Sequence, residues 1–364
     1  MNIGTGGRAF VSYVWTSSSI GARLVRTSVL PLSWLFGAIV ARRNARFDAR
    51  MRTGSLPLPA LPALSVGNLT VGGTGKTPVA SWFASRLRAG GASPALVLRG
   101  YGDDEWRVHG LLTPGVPVIV APDRAVGLVT ALSKQCDCAV LDDAFQHRQL
   151  SRIIDVVLVS ADAWREPVRL LPSGPYREPL GSLRRASVAV ITVKAASPDQ
   201  VQAVRAAIRA AAPDVPIAQV RLAPGTIRLA ATIGGGHGSP RGLQHDLTWL
   251  HGRRLVLVSA IADPHAFRRQ MEAAGAVVQH HAAYPDHHEF VADDVLSIVA
   301  RADPSVELLC TLKDAVKLAP LWPRAGAALW YVSQTVVVEQ GAEILEHAVA
   351  RVLAARRATT STAG

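Results

Sequence analysis

The chain is nearly devoid of lysine: Lys76, Lys134, Lys194, Lys313 and Lys317 are the five in 364 residues. Positive charge rests on arginine instead, so a lysine inside a motif stands out from its background. Cysteine is scarce too, with only Cys136, Cys138 and Cys310. An odd, sparse set excludes a disulfide framework and fits a reducing compartment. Cys136-x-Cys138 lacks the second pair of a zinc site and reads as two core thiols. Aromatic residues make up 5%, too few for a base-stacking platform. No run reaches the ~18 apolar residues of a spanning helix. Even so, 49% of residues are hydrophobic and mean hydropathy is +0.21. Such a chain has ample material for about two domains of ~150 residues each.

The formal net charge of +12 predicts an anionic partner: nucleic acid, a phosphate-rich ligand or an acidic lipid surface. Nucleic acid is not expected, because the arginines are spread along the chain and no known binding module is present. From Phe10 to Val40 the chain is apolar and aromatic, interrupted by Arg23 and Arg26. Its uninterrupted part, Thr27 to Ala41, is long enough to lie in a bilayer interface. Arg42, Arg43, Arg46, Arg50 and Arg52 follow at once. An apolar helix with a polybasic flank supplies two membrane signals. A buried helix with a solvated arginine face is the alternative.

Pro62–Val66 reads as a short buried strand, and Pro78–Arg88 as a helix. Between them lies Gly67-Asn-Leu-Thr-Val-Gly-Gly-Thr-Gly-Lys-Thr77. Strand, glycine loop and helix form the context of a phosphate-binding loop. Gly72, Gly73, Thr74 and Gly75 turn backbone amides toward phosphate oxygens, and the helix start adds its positive end. Lys76 would reach the terminal phosphates and Thr77 would coordinate Mg²⁺. Pro78 suits a first helical turn, where its missing N–H costs nothing. The strict motif has glycine where Thr70 stands, a job the Gly-Gly-x-Gly turn can take over.

Cys138–Leu141 is a second buried strand, ending in Asp142-Asp143 and then Ala144-Phe-Gln-His147. A strand delivering carboxylates at its C-terminal end is how phosphate-loop proteins hold a metal or its waters. A third strand, Ala95–Leu98, precedes Arg99-Gly-Tyr-Gly-Asp103-Asp104-Glu105. Three adjacent carboxylates repel one another unless a cation intervenes. One of them can take the proton of an attacking hydroxyl, although a solvated acidic turn has the same composition. His280, His281, His287 and His288 cluster later, yet adjacent histidine pairs do not readily share one tetrahedral ion. Lys313 and Lys317 fall on one helical face.

Strand-like runs at Ile153–Val159, Val188–Val193 and Leu255–Ser259 continue an alternating α/β pattern, with a helix at Pro198–Ala211 between them. The glycine-rich stretch 233–240 reads as a connector.

Together these segments resemble the tetraacyldisaccharide 4′-kinases of lipid A biosynthesis. The resemblance runs in order through Leu30-Pro-Leu-Ser-Trp34, Ser65–Pro78, Arg99-Gly-Tyr-Gly102, Asp104-Glu105 and Pro122-Asp-Arg124. It continues through Asp142–His147, Leu171–Pro175, Arg177-Glu-Pro179, Asp286-His287 and Lys313–Lys317. It implies an α/β fold: a P-loop NTPase-like core with a mostly parallel sheet, a smaller α/β C-terminal domain and an N-terminal apolar helix. The boundaries expected are 1–52 for a membrane-associating helical segment, 53–219 for the kinase core, 220–352 for the C-terminal domain and 353–364 for a disordered tail.

The same resemblance implies ATP with Mg²⁺ as cofactors and an acylated glucosamine disaccharide 1-phosphate as acceptor. The enzyme would sit on the cytoplasmic face of the bacterial inner membrane. Lys76 and Thr77 would bind ATP and Mg²⁺, with Asp142 and Asp143 near the metal. Asp104 would be the general base, its proton affinity tuned by His287. Tyr101, Glu105, Arg124, His147, Arg177 and Glu178 would support the site. Three features depart from the family. Ala144 replaces a glycine, Leu312 replaces a glutamate, and the loop between Arg-Gly-Tyr-Gly and Asp-Glu is shortened. The last leaves Asp103 beside Asp104 as a candidate base; spacing to Arg124 favours Asp104. The rival reading is another P-loop NTPase, of the GTPase or metallochaperone type, without a lipid acceptor.

Overall fold

The computed structural model describes residues 5–361 except 55–58, 101–103, 234–243, 302, 304 and 324–326. Tyr101, Asp103 and nearly all of the expected glycine-rich connector lie outside the described residues. Helices α1 (Thr5–Thr16), α2 (Ile20–Ser28) and α3 (Leu30–Arg52) open the chain. Next come β1 (Ala63–Asn68), α4 (Lys76–Ala89), β2 (Pro94–Leu98), α5 (Glu105–Leu112), β3 (Val118–Val120) and α6 (Arg124–Ser133). Then follow β4 (Cys138–Asp142), β5 (Ile154–Ser160), β6 (Val188–Val193), α7 (Pro198–Ala211) and β7 (Ile217–Leu229). The remainder is β8 (Gln244–His245), β9 (Arg254–Ser259), α8 (Pro264–Ala273), β10 (Val277–Ala283) and α9 (Ala292–Val299). It closes with β11 (Glu307–Thr311), α10 (Leu312–Leu318), β12 (Leu329–Gln340) and α11 (Ala342–Ser361).

These elements form two compact units. The first comprises Met1–Gly100, Thr113–Arg221 and Val338–Gly364; the second, Tyr101–Leu112 and Leu222–Val337. In the first, the strand order is β3-β2-β4-β1-β5-β6-β7, and every pairing is parallel. Parallel strands covered on both faces need continuous apolar runs, and β1, β2, β4 and β6 are buried at every position. The chain leaves β1 for β2, passes back through β4 and crosses β1 to β5. The C-terminal end of β1 is therefore a topological switch point, where open α/β sheets bind ligands. Val66 pairs with Asp142, so the glycine loop and the paired aspartates emerge side by side at the C-terminal ends of two neighbouring strands.

In the second unit β10-β9-β11-β12 run parallel, and β8 pairs antiparallel with the end of β7. Val108, Leu111 and Leu112 of α5 pack into that unit's core with Val258, Cys310, Leu312 and Tyr331. This packing is why α5 belongs there and not to the kinase core where the sequence pattern placed it.

The end of the chain also differs from expectation. Residues 353–361 are not a disordered tail but continue α11, which belongs to the first unit. Leu345, Ala348, Val349 and Val352 bury one helical face. Arg86 and Arg356 secure the helix through Glu346 (2.5 Å) and Asp137 (2.8 Å). Alanine and arginine are strong helix formers, so the polar look of this segment hides a stable helix.

The apolar N-terminal region forms three helices, not one. Pro31 lies in the first turn of α3, whose second half carries the arginines. Ile20, Leu24, Trp34, Leu35 and Ile39 are exposed, Trp34 by 72%. Among the described residues no single helix is long and apolar enough to cross a membrane. The pair α2 and α3, bent by 47°, meets that criterion jointly by length and composition.

Candidate active site

In the first unit the site is built from the end of β1. Gly67 lies so close to the Asp142-Asp-Ala-Phe-Gln-His turn that a Cβ there would sit 2.5 Å from Phe145 Cβ and 2.9 Å from its backbone nitrogen. Only glycine lets the two segments touch. Gly75 caps α4 in the left-handed region at φ 87°, which frees the amides of the first turn for an anion. Lys76, Thr77 and Pro78 form that turn, with Thr77 buried. Thr74 is held from two sides: Asn68 Nδ2 donates to its hydroxyl (2.8 Å) and Thr192 Oγ1 to its carbonyl (2.9 Å).

Asp143 follows β4 at φ 49°, a conformation that aspartate adopts more readily than most residues. The turn aims its carboxylate at two cations. Arg177 Nη2 donates to Oδ1 at 3.0 Å and Lys76 Nζ stands 3.9 Å from the same oxygen. Burial alone would raise the Asp143 pKa, but Lys76 and Arg177 outweigh it and hold it below the usual value. Arg177 also donates to the Asn68 side chain. Asn68 thus links loop, Arg177 and, through Gln146 Nε2 on its carbonyl (2.8 Å), the aspartate turn.

Arg124 is buried and ties two strand ends together, donating to Ala121 O and Asp142 O at 2.9 Å each. His147 is half-buried, and burial followed by Arg124 and Arg152 lowers its pKa. Ala144 shows why a methyl is tolerated where glycine was expected. The left-handed residue is Asp143, and the Ala144 side chain packs in the core with Leu128 and Leu141. Glu178 behaves unlike its neighbour. It turns to α3, where its Oε2 accepts from Asn44 Nδ2 (2.8 Å) and Arg185 Nη2 (2.7 Å).

The second unit carries a separate cluster. Asp104 stands just before α5 and is buried, with Lys317 Nζ 3.3 Å from its Oδ2. Glu105 begins α5. Lys317 also donates to His288 O at 3.3 Å. Asp314 on the same helix is fully buried, accepting from Ala260 N (3.0 Å) and Thr311 Oγ1 (2.6 Å). The Ala260 carbonyl in turn accepts from His287 N (3.2 Å), which holds His287 at φ 61°. Burial lowers the His287 pKa, Lys313 and Lys317 adding to the effect, while Asp286 and Asp104 oppose it. Leu312 is an apolar core residue of this unit, not a vacant charge position.

The other histidines have local partners. His281 Nε2 lies 2.8 Å from Ser259 Oγ, and His288 pairs with Asp294 at 2.8 Å and stacks on Tyr284. Among the described residues no group of three His, Cys, Asp or Glu side chains is placed to hold a metal ion. Sequence reasoning singled out neither Asn68 nor Thr192. A polar residue ending a buried strand beside a phosphate loop is the signal that marks Asn68, whereas Thr192 reaches Thr74 from 118 residues away and carries no local signal.

The profile of the tetraacyldisaccharide-1-P 4′-kinase family matches residues 25–114 and 104–354. A tetraacyldisaccharide 4′-kinase of Anaeromyxobacter dehalogenans (strain 2CP-C) is 36% identical over 348 residues, covering 86% of this chain and 87% of that protein. One of Halorhodospira halophila is 31% identical, covering 91% and 93%. The crystal structure of LpxK from Aquifex aeolicus in complex with ATP superposes with a TM-score of 0.67 at 24% identity. That likeness, over 89% of this chain and 99% of the other, establishes a shared fold. With its phosphate loop and paired aspartates at one switch point, the chain belongs to the tetraacyldisaccharide-1-P 4′-kinase family.

Proposed function

We propose that this protein transfers the γ-phosphoryl group of ATP to the 4′-hydroxyl of a tetraacylated glucosamine disaccharide 1-phosphate. The observation that carries the reading is the Lys76–Asp143–Arg177 constellation beside the glycine loop, in a chain of this family. Amides of residues 72–77 and the start of α4 hold the phosphates, and Lys76 offsets charge as it builds on the transferred group. Thr77, Asp142 and Asp143 offer hard oxygen donors of the kind Mg²⁺ takes alongside water and substrate phosphates. The ion supplies charge neutralisation on the phosphate oxygens when bound. Arg177 keeps Asp143 ionised and oriented.

Asp104 accepts the proton of the acceptor hydroxyl. Its burial and its pairing with Lys317 hold the carboxylate in one orientation, and His287 lies in its electrostatic reach. The exposed apolar side chains of α2 and α3, followed by arginines, fit a protein seated on the cytoplasmic leaflet of the inner membrane, where an acylated acceptor is dissolved.

The test is ATP-dependent phosphorylation of a tetraacyl disaccharide 1-phosphate by the purified chain, with Lys76→Ala alongside. Product with wild type and none with Lys76→Ala supports the reading. ATP hydrolysis that ignores the acceptor would overturn it in favour of an NTPase without a lipid substrate.

A further inference from the structure

Residues 170–178 touch two parts of the first unit at once. On one side they pair with the nucleotide loop: Val71 N donates to Pro175 O (2.8 Å), Arg177 N donates to Leu69 O (2.7 Å), and Thr70 forms an antiparallel bridge with Tyr176. On the other side they grip the N-terminal helices. Trp15 Nε1 donates to Pro172 O (2.9 Å), Ser33 Oγ donates to Leu170 O (3.2 Å), and Ser173 N donates back to Ser33 Oγ (3.0 Å). The strip ends in Arg177 and Glu178, which point to different partners. Arg177 reaches Asp143 and Asn68. Glu178, with a side chain 0% exposed, takes Asn44 of α3 and Arg185, with Arg43 3.6 Å from its other oxygen.

We propose that residues 170–178 are a strap by which the N-terminal helices set the nucleotide loop, with Asn44 and Glu178 as positioning residues for Arg177. A shift of α3 pulls on Glu178. The neighbouring peptide carries Arg177, whose backbone and side chain both hold the loop, so the displacement arrives where ATP is bound. A buried, ion-paired carboxylate resists sliding because an unpaired charge there is costly, which makes the link stiff. Burial would raise the Glu178 pKa, but Arg185 and Asn44 together lower it, so it stays ionised. The inference rests on ATP being the ligand of the loop.

The experiment compares ATP binding by calorimetry and steady-state kinetics of the full chain. Asn44→Ala, remote from the phosphates, should raise both Kd and KM for ATP roughly five-fold while kcat at saturating ATP changes less, since small misplacements of binding groups are costly. The double variant Asn44→Asp with Glu178→Gln reverses the direction of the hydrogen bond and should restore most of the affinity. If Asn44→Ala does not fold, Ser33→Ala, which releases the other grip, should weaken ATP binding in the same direction. Unchanged ATP affinity in the folded variants, or no recovery in the reversed pair, overturns the strap. Failure of the wild-type chain to bind ATP overturns the proposed function as well, so the two failures are distinguishable.

Discussion

Lys317 Nζ stands 3.3 Å from Asp104 Oδ2, with the two side chains 19% and 7% exposed. A buried carboxylate that loses its cation leaves an uncompensated charge. Lys317→Ala should therefore lower kcat by about ten-fold or more, with Lys317→Arg recovering part of it. Asp104→Asn should remove turnover altogether and leave ATP binding intact by calorimetry. Near-normal kcat in Asp104→Asn would remove it from the role of base.

Asp314 is pushed up to about 6 by burial. Its folded pKa lies above the unfolded value of 3.8, so the folded state holds a proton that the unfolded state releases. Its contribution to stability is full below about pH 4 and lost as pH rises through about 6. The loss is at most about 3 kcal/mol, at 1.36 kcal/mol for each pKa unit. Urea unfolding of wild type and Asp314→Asn from pH 4 to 7 should give curves whose difference follows this slope. Parallel curves would refute it.

Gly67→Ala tests the contact with the aspartate turn. The new methyl would overlap Phe145, and overpacking of this kind costs roughly 1–3 kcal/mol. A lowered Tm should accompany weaker ATP binding, because the loop and the turn move apart together. A variant with normal Tm and normal KM for ATP would show that the contact is not needed.

Leu24 and Trp34 are exposed by 66% and 72%. Replacing both with serine removes apolar surface worth about 1.5–3 kcal/mol each when buried. Sedimentation with phosphatidylglycerol vesicles should show partitioning reduced by at least about ten-fold. Turnover of a detergent-dispersed acceptor should be retained. Undiminished vesicle binding would argue that α2 and α3 do not face lipid.

Much of this architecture is legible in the sequence because its signals are local. Buried β runs such as Val188–Val193, the glycine loop and the Asp142-Asp143 pair each sit within a few residues, and the structure places the loop and the aspartates at the C-terminal ends of the neighbouring strands β1 and β4. What is not legible depends on distant packing. Nothing in Arg177-Glu178 says that one turns to Asp143 and the other to α3. The membership of α5 in the second unit follows from where Val108, Leu111 and Leu112 find partners. Leu312 reads as a missing charge until its burial is seen. The end of α11 reads as polar because its apolar stripe is spaced by helical turns and diluted with arginine.

Because α11 completes the first unit, that unit is a discontinuous body with the second inserted between its strands and its last helix. A ribosome must deliver α11 before the first unit can bring that helix against α4 and complete its core. The inserted half, continuous apart from one short helix, is free to acquire its core earlier during synthesis. Errors late in translation therefore fall on the half that holds phosphate, even though the codons concerned lie far from its loop.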